Sequence, residues 1–112
     1  MSEKLATLKK EENISIITLD DGKANVFSSK MSKDINECLD EVPTENGCLI
    51  ITGREGILSG GFDLKVIQSG EIESIQEMTL AGFKLLSRIF SFPRPVIACL
   101  LYTSDAADET VR

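Results

Sequence analysis

The sequence contains no histidine and no tryptophan, one tyrosine and three cysteines. Without histidine there is no His-dependent triad, no imidazole general base and no imidazole metal ligand. Cys38, Cys48 and Cys99 are odd in number and not closely paired. They suggest neither a disulfide framework nor a zinc site. Cys38, on the apolar face of a predicted helix, and Cys48, at the head of a predicted strand, read as small core hydrophobes. The carboxylates are scattered without ligand spacing, so no metal is expected. No apolar run approaches the ~20 residues of a membrane span. The opening Met1-Ser2-Glu3-Lys4 lacks the apolar core of a signal peptide, and a cytoplasmic location is the expectation. Basic charge is also scarce: 12 Lys and Arg stand against 18 Asp and Glu, for a net charge of −6. That balance gives no electrostatic argument for a nucleic-acid or membrane partner, although local lysines and backbone donors can still receive an anionic ligand.

What is present is enough for one small domain: 112 residues, 42% of them hydrophobic. Leu5 to Leu8 predicts a short strand, and Lys9-Lys10-Glu11-Glu12-Asn13 a polar turn. Ile14 to Leu19 carries apolar residues on both faces and predicts an interior strand paired with the first. Asp20-Asp21-Gly22 closes it with turn chemistry. Ser28 or Ser29 can cap a helix whose Met31, Ile35, Cys38, Leu39 and Val42 share one face, with Pro43 at its end. Cys48 to Thr52 predicts a buried strand, Asp63 to Ser69 a short helix stopped by Gly70, and a longer helix packs Ile75, Met78, Gly82, Leu85, Leu86 and Ile89. Glu71, Glu73 and Glu77 suit the macrodipole at the start of that helix. Pro93 and Pro95 frame the exit into a last buried strand, Val96 to Leu101. The strand, strand, helix, strand, helices, strand order is an α/β pattern in which the first helix permits a parallel crossover.

The chain is organised around residues 53–67, GREGILSGGFDLKVI, which leave a strand through a glycine-rich turn and enter a helix. Such a turn presents free backbone N–H groups, and glycines lacking Cβ let the backbone come close to a ligand. Leu58-Ser59-Gly60-Gly61-Phe62-Asp63-Leu64-Lys65 resembles the Phe-Ser-Ala-Gly-x-Asp-Leu-Lys turn of the crotonase, or enoyl-CoA hydratase/isomerase, superfamily. Ile17-Thr18-Leu19 followed by Lys23-Ala24-Asn25 resembles that family's first strand and CoA-contacting loop. Phe92-Pro93-Arg94-Pro95-Val96-Ile97-Ala98 resembles the strand leading to its second catalytic loop.

The resemblance implies an incomplete crotonase-like ββα spiral, the N-terminal part only, over residues 1–98. It implies that the Phe62 N–H is the first of two oxyanion donors for a thioester enolate. Lys23, Ala24 and Val26 would contact the CoA nucleotide, while Ser59, Gly60, Gly61, Asp63, Leu64 and Lys65 line the ligand path. A helix start beside the turn would add positive potential. Asp63 reads as the N-cap of the helix it precedes, ahead of a general base. Phe62 stands where many members have a small residue, so its ring is expected to narrow the acyl pocket. The second donor and the family's proton-handling glutamates would lie beyond residue 98. Coenzyme A enters only as part of the substrate, with no separate cofactor, and the full-length parent would be a homotrimer or hexamer. Hydration of a 2-enoyl-CoA is the expected reaction; isomerase, thioester hydrolase, dehalogenase and non-catalytic binding domain are the alternatives. Residues 99–109 resemble the in-frame translation of a transposase-type sequencing adapter, so 99–112 are expected to be a non-native tail.

Overall fold

The computed structural model describes residues 4–101. Strand β1 (Ala6–Glu11) turns at Glu12-Asn13 into β2 (Ile14–Leu19), its antiparallel partner. Helix α1 (Ser29–Leu39) then crosses over to β3 (Cys48–Glu55), parallel to β2. Helices α2 (Leu64–Ser69) and α3 (Ile72–Phe90) lead to β4 (Val96–Leu101), parallel to β3. The sheet order is β1-β2-β3-β4.

Side chains alternate across each strand, so the register sorts residues onto two faces. Ala6, Ile17, Leu19, Leu49 and Ile51 point to the helices and are buried with Met31, Ile35, Cys38 and Leu39 of α1 and Leu85 of α3. The periodic stripe of α1 therefore meets the sheet as its spacing predicts. Ser28 caps α1, its hydroxyl accepting the Met31 N–H at 3.1 Å. Asp34, buried in this helix, accepts the Leu5 N–H at 2.8 Å and the Lys30 ammonium at 3.0 Å. Arg88 of α3 donates to the Asn36 carbonyl and to Asp40, fastening the C-terminal ends of the two long helices together.

The structure corrects five expectations. Helix α1 ends at Leu39 with Asp40 as its cap, and the chain tightens there, Glu41 donating to Cys38 and Val42 to Leu39, so Val42 is buried past the helix and Pro43 does not set its end. Lys9, Lys10 and Glu11 belong to β1, because the turn needs only Glu12 and Asn13, with Glu12 at φ 55°. The third strand continues through Gly53-Arg54-Glu55, so the first part of the organising stretch is strand. Leu86 is exposed, the buried line of α3 running instead through Met78, Gly82 and Leu85. The third strand is covered on one face only, Cys48 and Ile50 being half-buried, and the fourth is largely open, Ile97 and Ala98 both being exposed. The expected tail beyond Leu101 lies outside the described residues. Cys99 itself sits in β4.

Candidate functional site

The two glycine- and lysine-bearing loops predicted to face a ligand lie side by side, beyond the carboxyl ends of β2 and β3, where ligands commonly bind in α/β sheets. After Glu55 the chain turns tightly, the Ile57 N–H returning to the Arg54 carbonyl at 3.0 Å. Two backbone bonds then lace the loops together. Gly60 donates to the Ala24 carbonyl and Phe27 donates to the Gly61 carbonyl, each at 2.7 Å. Gly61 takes φ 89°, a left-handed conformation that side chains with a Cβ rarely adopt. The Ser59 hydroxyl accepts its N–H at 3.1 Å.

The loop from Lys23 to Phe27 is built on Asp21. One carboxylate oxygen of Asp21 accepts the N–H groups of Lys23 at 2.7 Å and Asn25 at 2.9 Å; the other accepts Val26 at 3.3 Å. Burial opposes ionisation of Asp21 and is the largest single influence. The three N–H donors, aided by the Arg54 charge, outweigh it and hold its pKa below the ordinary value. Asn25 is fully buried at φ 54°, and its amide spans both loops, donating to the Leu19 carbonyl at 2.9 Å and the Leu58 carbonyl at 3.3 Å. Asp21 and Asn25 are the supporting residues that sequence reasoning missed. Aspartate followed by an asparagine able to take positive φ was the available signal.

Phe62 follows Gly61, and among the described residues its N–H has no hydrogen-bond partner. A fixed backbone donor left unpaired is what oxyanion binding requires. Asp63 caps α2, its carboxylate accepting the Lys65 N–H at 3.0 Å. Helix α2 has only six residues and is closed by Gly70 at φ 74°, so its dipole contributes little beyond its own first N–H groups. Lys23 and Lys65 are exposed, and neither forms an ion pair among the described residues. Ala24, Gly60, Gly61 and Leu64 are also exposed; Val26, Ser59, Phe62 and Asp63 are half-buried. The Phe62 ring lies against α3 at Gly82 and meets the Phe83 ring edge-on, with centroids 5.7 Å apart. Beside Ser59 an apolar cavity of about 500 Å³ opens between α3 and β4, lined among others by Phe27, Leu58, Phe90 and Phe92. No cluster of three or more metal-ligating side chains occurs among the described residues. Burial raises the Cys38 thiol pKa, which suits a core role over a reactive one.

A family profile described as enoyl-CoA hydratase/isomerase matches residues 9–101. A probable enoyl-CoA hydratase of Bacillus subtilis is 30% identical over 99 residues, covering 84% of this chain and 38% of the relative. A carnitinyl-CoA dehydratase of Escherichia coli K12 is 34% identical over 103 residues, covering 89% of this chain and 39% of the relative. Among solved structures, an enoyl-CoA isomerase of Mycobacterium tuberculosis superposes with a TM-score of 0.78 at 32% identity, over 85% of this chain and 41% of that one. An enoyl-CoA hydratase of Mycobacterium ulcerans gives 0.76 at 38% identity, over 84% and 42%. The chain thus spans about two fifths of the length of the proteins it matches.

Proposed function

Because this chain belongs to the enoyl-CoA hydratase/isomerase family, we propose that it forms the first half of a site that binds an acyl-CoA thioester and stabilises an enolate oxyanion. The observation that carries the reading is the unpaired Phe62 N–H, held on a turn that is itself bonded to the loop bearing Lys23. In this reading the thioester carbonyl oxygen accepts the Phe62 N–H, and negative charge gathers on that oxygen as the α-carbon bond reorganises. Donors preorganised for such charge are each worth about 3–4 kcal/mol when removed. Lys23 and Lys65 are exposed, form no ion pair among the described residues and suit the phosphates of coenzyme A; Ala24 and Val26 supply an adjoining wall.

The reaction of the longer parent is read as addition of water across the double bond of a 2-enoyl-CoA. Hydroxide joins the β-carbon and a proton the α-carbon, with no separate cofactor. The matched proteins carry hydratase, isomerase and dehydratase names, and an acyl-CoA is common to them. The proposal commits first to that thioester chemistry and second to hydration. A homotrimeric or hexameric cytoplasmic parent belongs to the same reading.

Amide-resolved titration of the chain with crotonyl-CoA tests the proposal. Signals of Lys23, Ala24, Gly61 and Phe62 should move together, and crotonate without coenzyme A should leave the first two unmoved. A Phe62→Pro variant removes the N–H and should weaken crotonyl-CoA binding more than Phe62→Ala, which keeps the donor but loses the ring. Unmoved amides at both loops on saturation would overturn the site.

A further inference from the structure

Gly82 is an unexpected residue where it stands. It is buried in the middle of a 19-residue helix, where glycine is the poorest former after proline. A Cβ built there would come within 2.5 Å of Phe62 Cε1 and 3.1 Å of Phe62 Cζ. Real Cβ atoms do not approach an aromatic ring that closely. The gap left by the missing side chain is therefore occupied by the Phe62 ring, and the Phe83 ring closes over it edge-on at an interplanar angle of 82°.

From this geometry we infer that the Gly82 notch and the Phe83 ring form a seat for the Phe62 side chain that sets the position of the Phe62 N–H. Gly82 and Phe83 are positioning residues for the oxyanion turn, acting through Phe62. The inference rests on the proposed thioester reading only for what that N–H is used for.

Phe62 directly follows Gly61, whose left-handed φ is freely accessible and fixes little alone. On one side the turn is tied by the Gly60 bond to Ala24 and the Gly61 carbonyl bond to Phe27. On the other side Asp63 caps α2, which among the helices and strands meets chiefly α3. The Phe62 side chain reaches α3 at Gly82 and Phe83, so its ring joins the turn to the longest helix among the described residues. The ring thereby points at the helix, which gives it an anchoring role.

The experiment uses the full 112-residue chain with Gly82→Ala, Phe62→Ala and the double variant. In the parent background, Gly82→Ala should lower the folded-to-unfolded ratio about ten-fold or more, since overpacking outweighs the gain in helix propensity. In the Phe62→Ala background the same change should raise that ratio about four-fold, because only the propensity gain remains. An increase in both backgrounds overturns the seat. So does failure of both Gly82→Ala chains to fold; failure of the single variant with recovery in the double supports it.

Hydrogen exchange then separates positioning from packing. The Gly61 and Lys65 amides should exchange at least about ten-fold faster in Gly82→Ala and Phe62→Ala, and stay fast in the double variant although its stability has returned. Ile17 should follow global stability alone. Restoration of the turn amides in the double variant overturns the positioning role. Crotonyl-CoA serves as the ligand probe, and its shift at residue 62 should be reduced in all three variants. If the unmutated chain ignores crotonyl-CoA while the exchange pattern holds, the thioester reading falls and the seat stands.

Discussion

The Gly60 N–H donates to the Ala24 carbonyl at 2.7 Å, and a Cβ on Gly60 would lie 3.0 Å from that oxygen and 3.2 Å from the Ala24 Cβ. The loops bearing Gly60 and Ala24 touch backbone to backbone. Substitution with alanine should be absorbed by shifts of a few tenths of an ångström, as the family's alanine at this turn position implies. Substitution with valine has no such room and should cost about 1–3 kcal/mol. Denaturant melts of both variants, with exchange rates at Gly60 and Phe27, check the contrast. Equal losses for alanine and valine would mean that the loops are not in close contact.

Replacing Asp21 with alanine leaves the N–H groups of Lys23, Asn25 and Val26 without their acceptor. A loss of about 1–3 kcal/mol is expected, read by thermal or urea unfolding. Loosening of the Lys23 loop should weaken crotonyl-CoA binding in parallel.

Acid should unfold the chain partly through two carboxylates. Asp21 and Asp34 both have pKa values below the ordinary 3.8, burial acting against ionisation in each and being outweighed by their donors. For Asp34 those are the Leu5 N–H and Lys30. A depressed native pKa adds stability that is complete above the unfolded pKa and disappears as pH falls through the native one. Stability should therefore fall with decreasing pH below about 4. Asp21→Asn and Asp34→Asn should each flatten that slope, and an unchanged slope would remove these groups from the account.

The chain alone should not hydrate crotonyl-CoA above the uncatalysed rate. The family resemblance puts the second donor and the proton-handling glutamates beyond residue 98, and parts of a site that act as a unit are strongly non-additive. Absorbance of the enoyl thioester followed over hours tests this. Steady turnover would place the missing functions within these residues.

Periodicity and punctuation made most of the elements legible in advance. Met31, Ile35, Cys38 and Leu39 share a face because the helix period requires it, and Ser28 and Gly70 mark helix ends for local reasons, whereas Pro43 lies four residues past the end of α1. Asp63 as an N-cap was readable for the same reason. The turn motif also brought together residues that do meet, since Gly60 and Gly61 bond to Ala24 and Phe27. What escaped was set by partners distant in sequence. Lys9 to Glu11 look like turn residues until β2 pairs with them. Nothing near Gly82 announces that a ring twenty positions earlier needs its missing side chain. Nor does Asn25 reveal that its amide will reach Leu58.

The sheet's connectivity also orders the chain in time. The β1–β2 hairpin closes across two residues, whereas β3 and β4 must meet across the whole of α2 and α3. Loop closure taxes such distant pairings, so β4 should register last during refolding and open first in native fluctuations. Pulse-labelled exchange would show Leu49, whose N–H is held by the Pro95 carbonyl, acquiring protection after Ile17. The Gly60-Gly61-Phe62 turn lies within that late-closing loop. Its geometry would be completed only when the last strand docks, and ligand competence would arrive as the final step of folding.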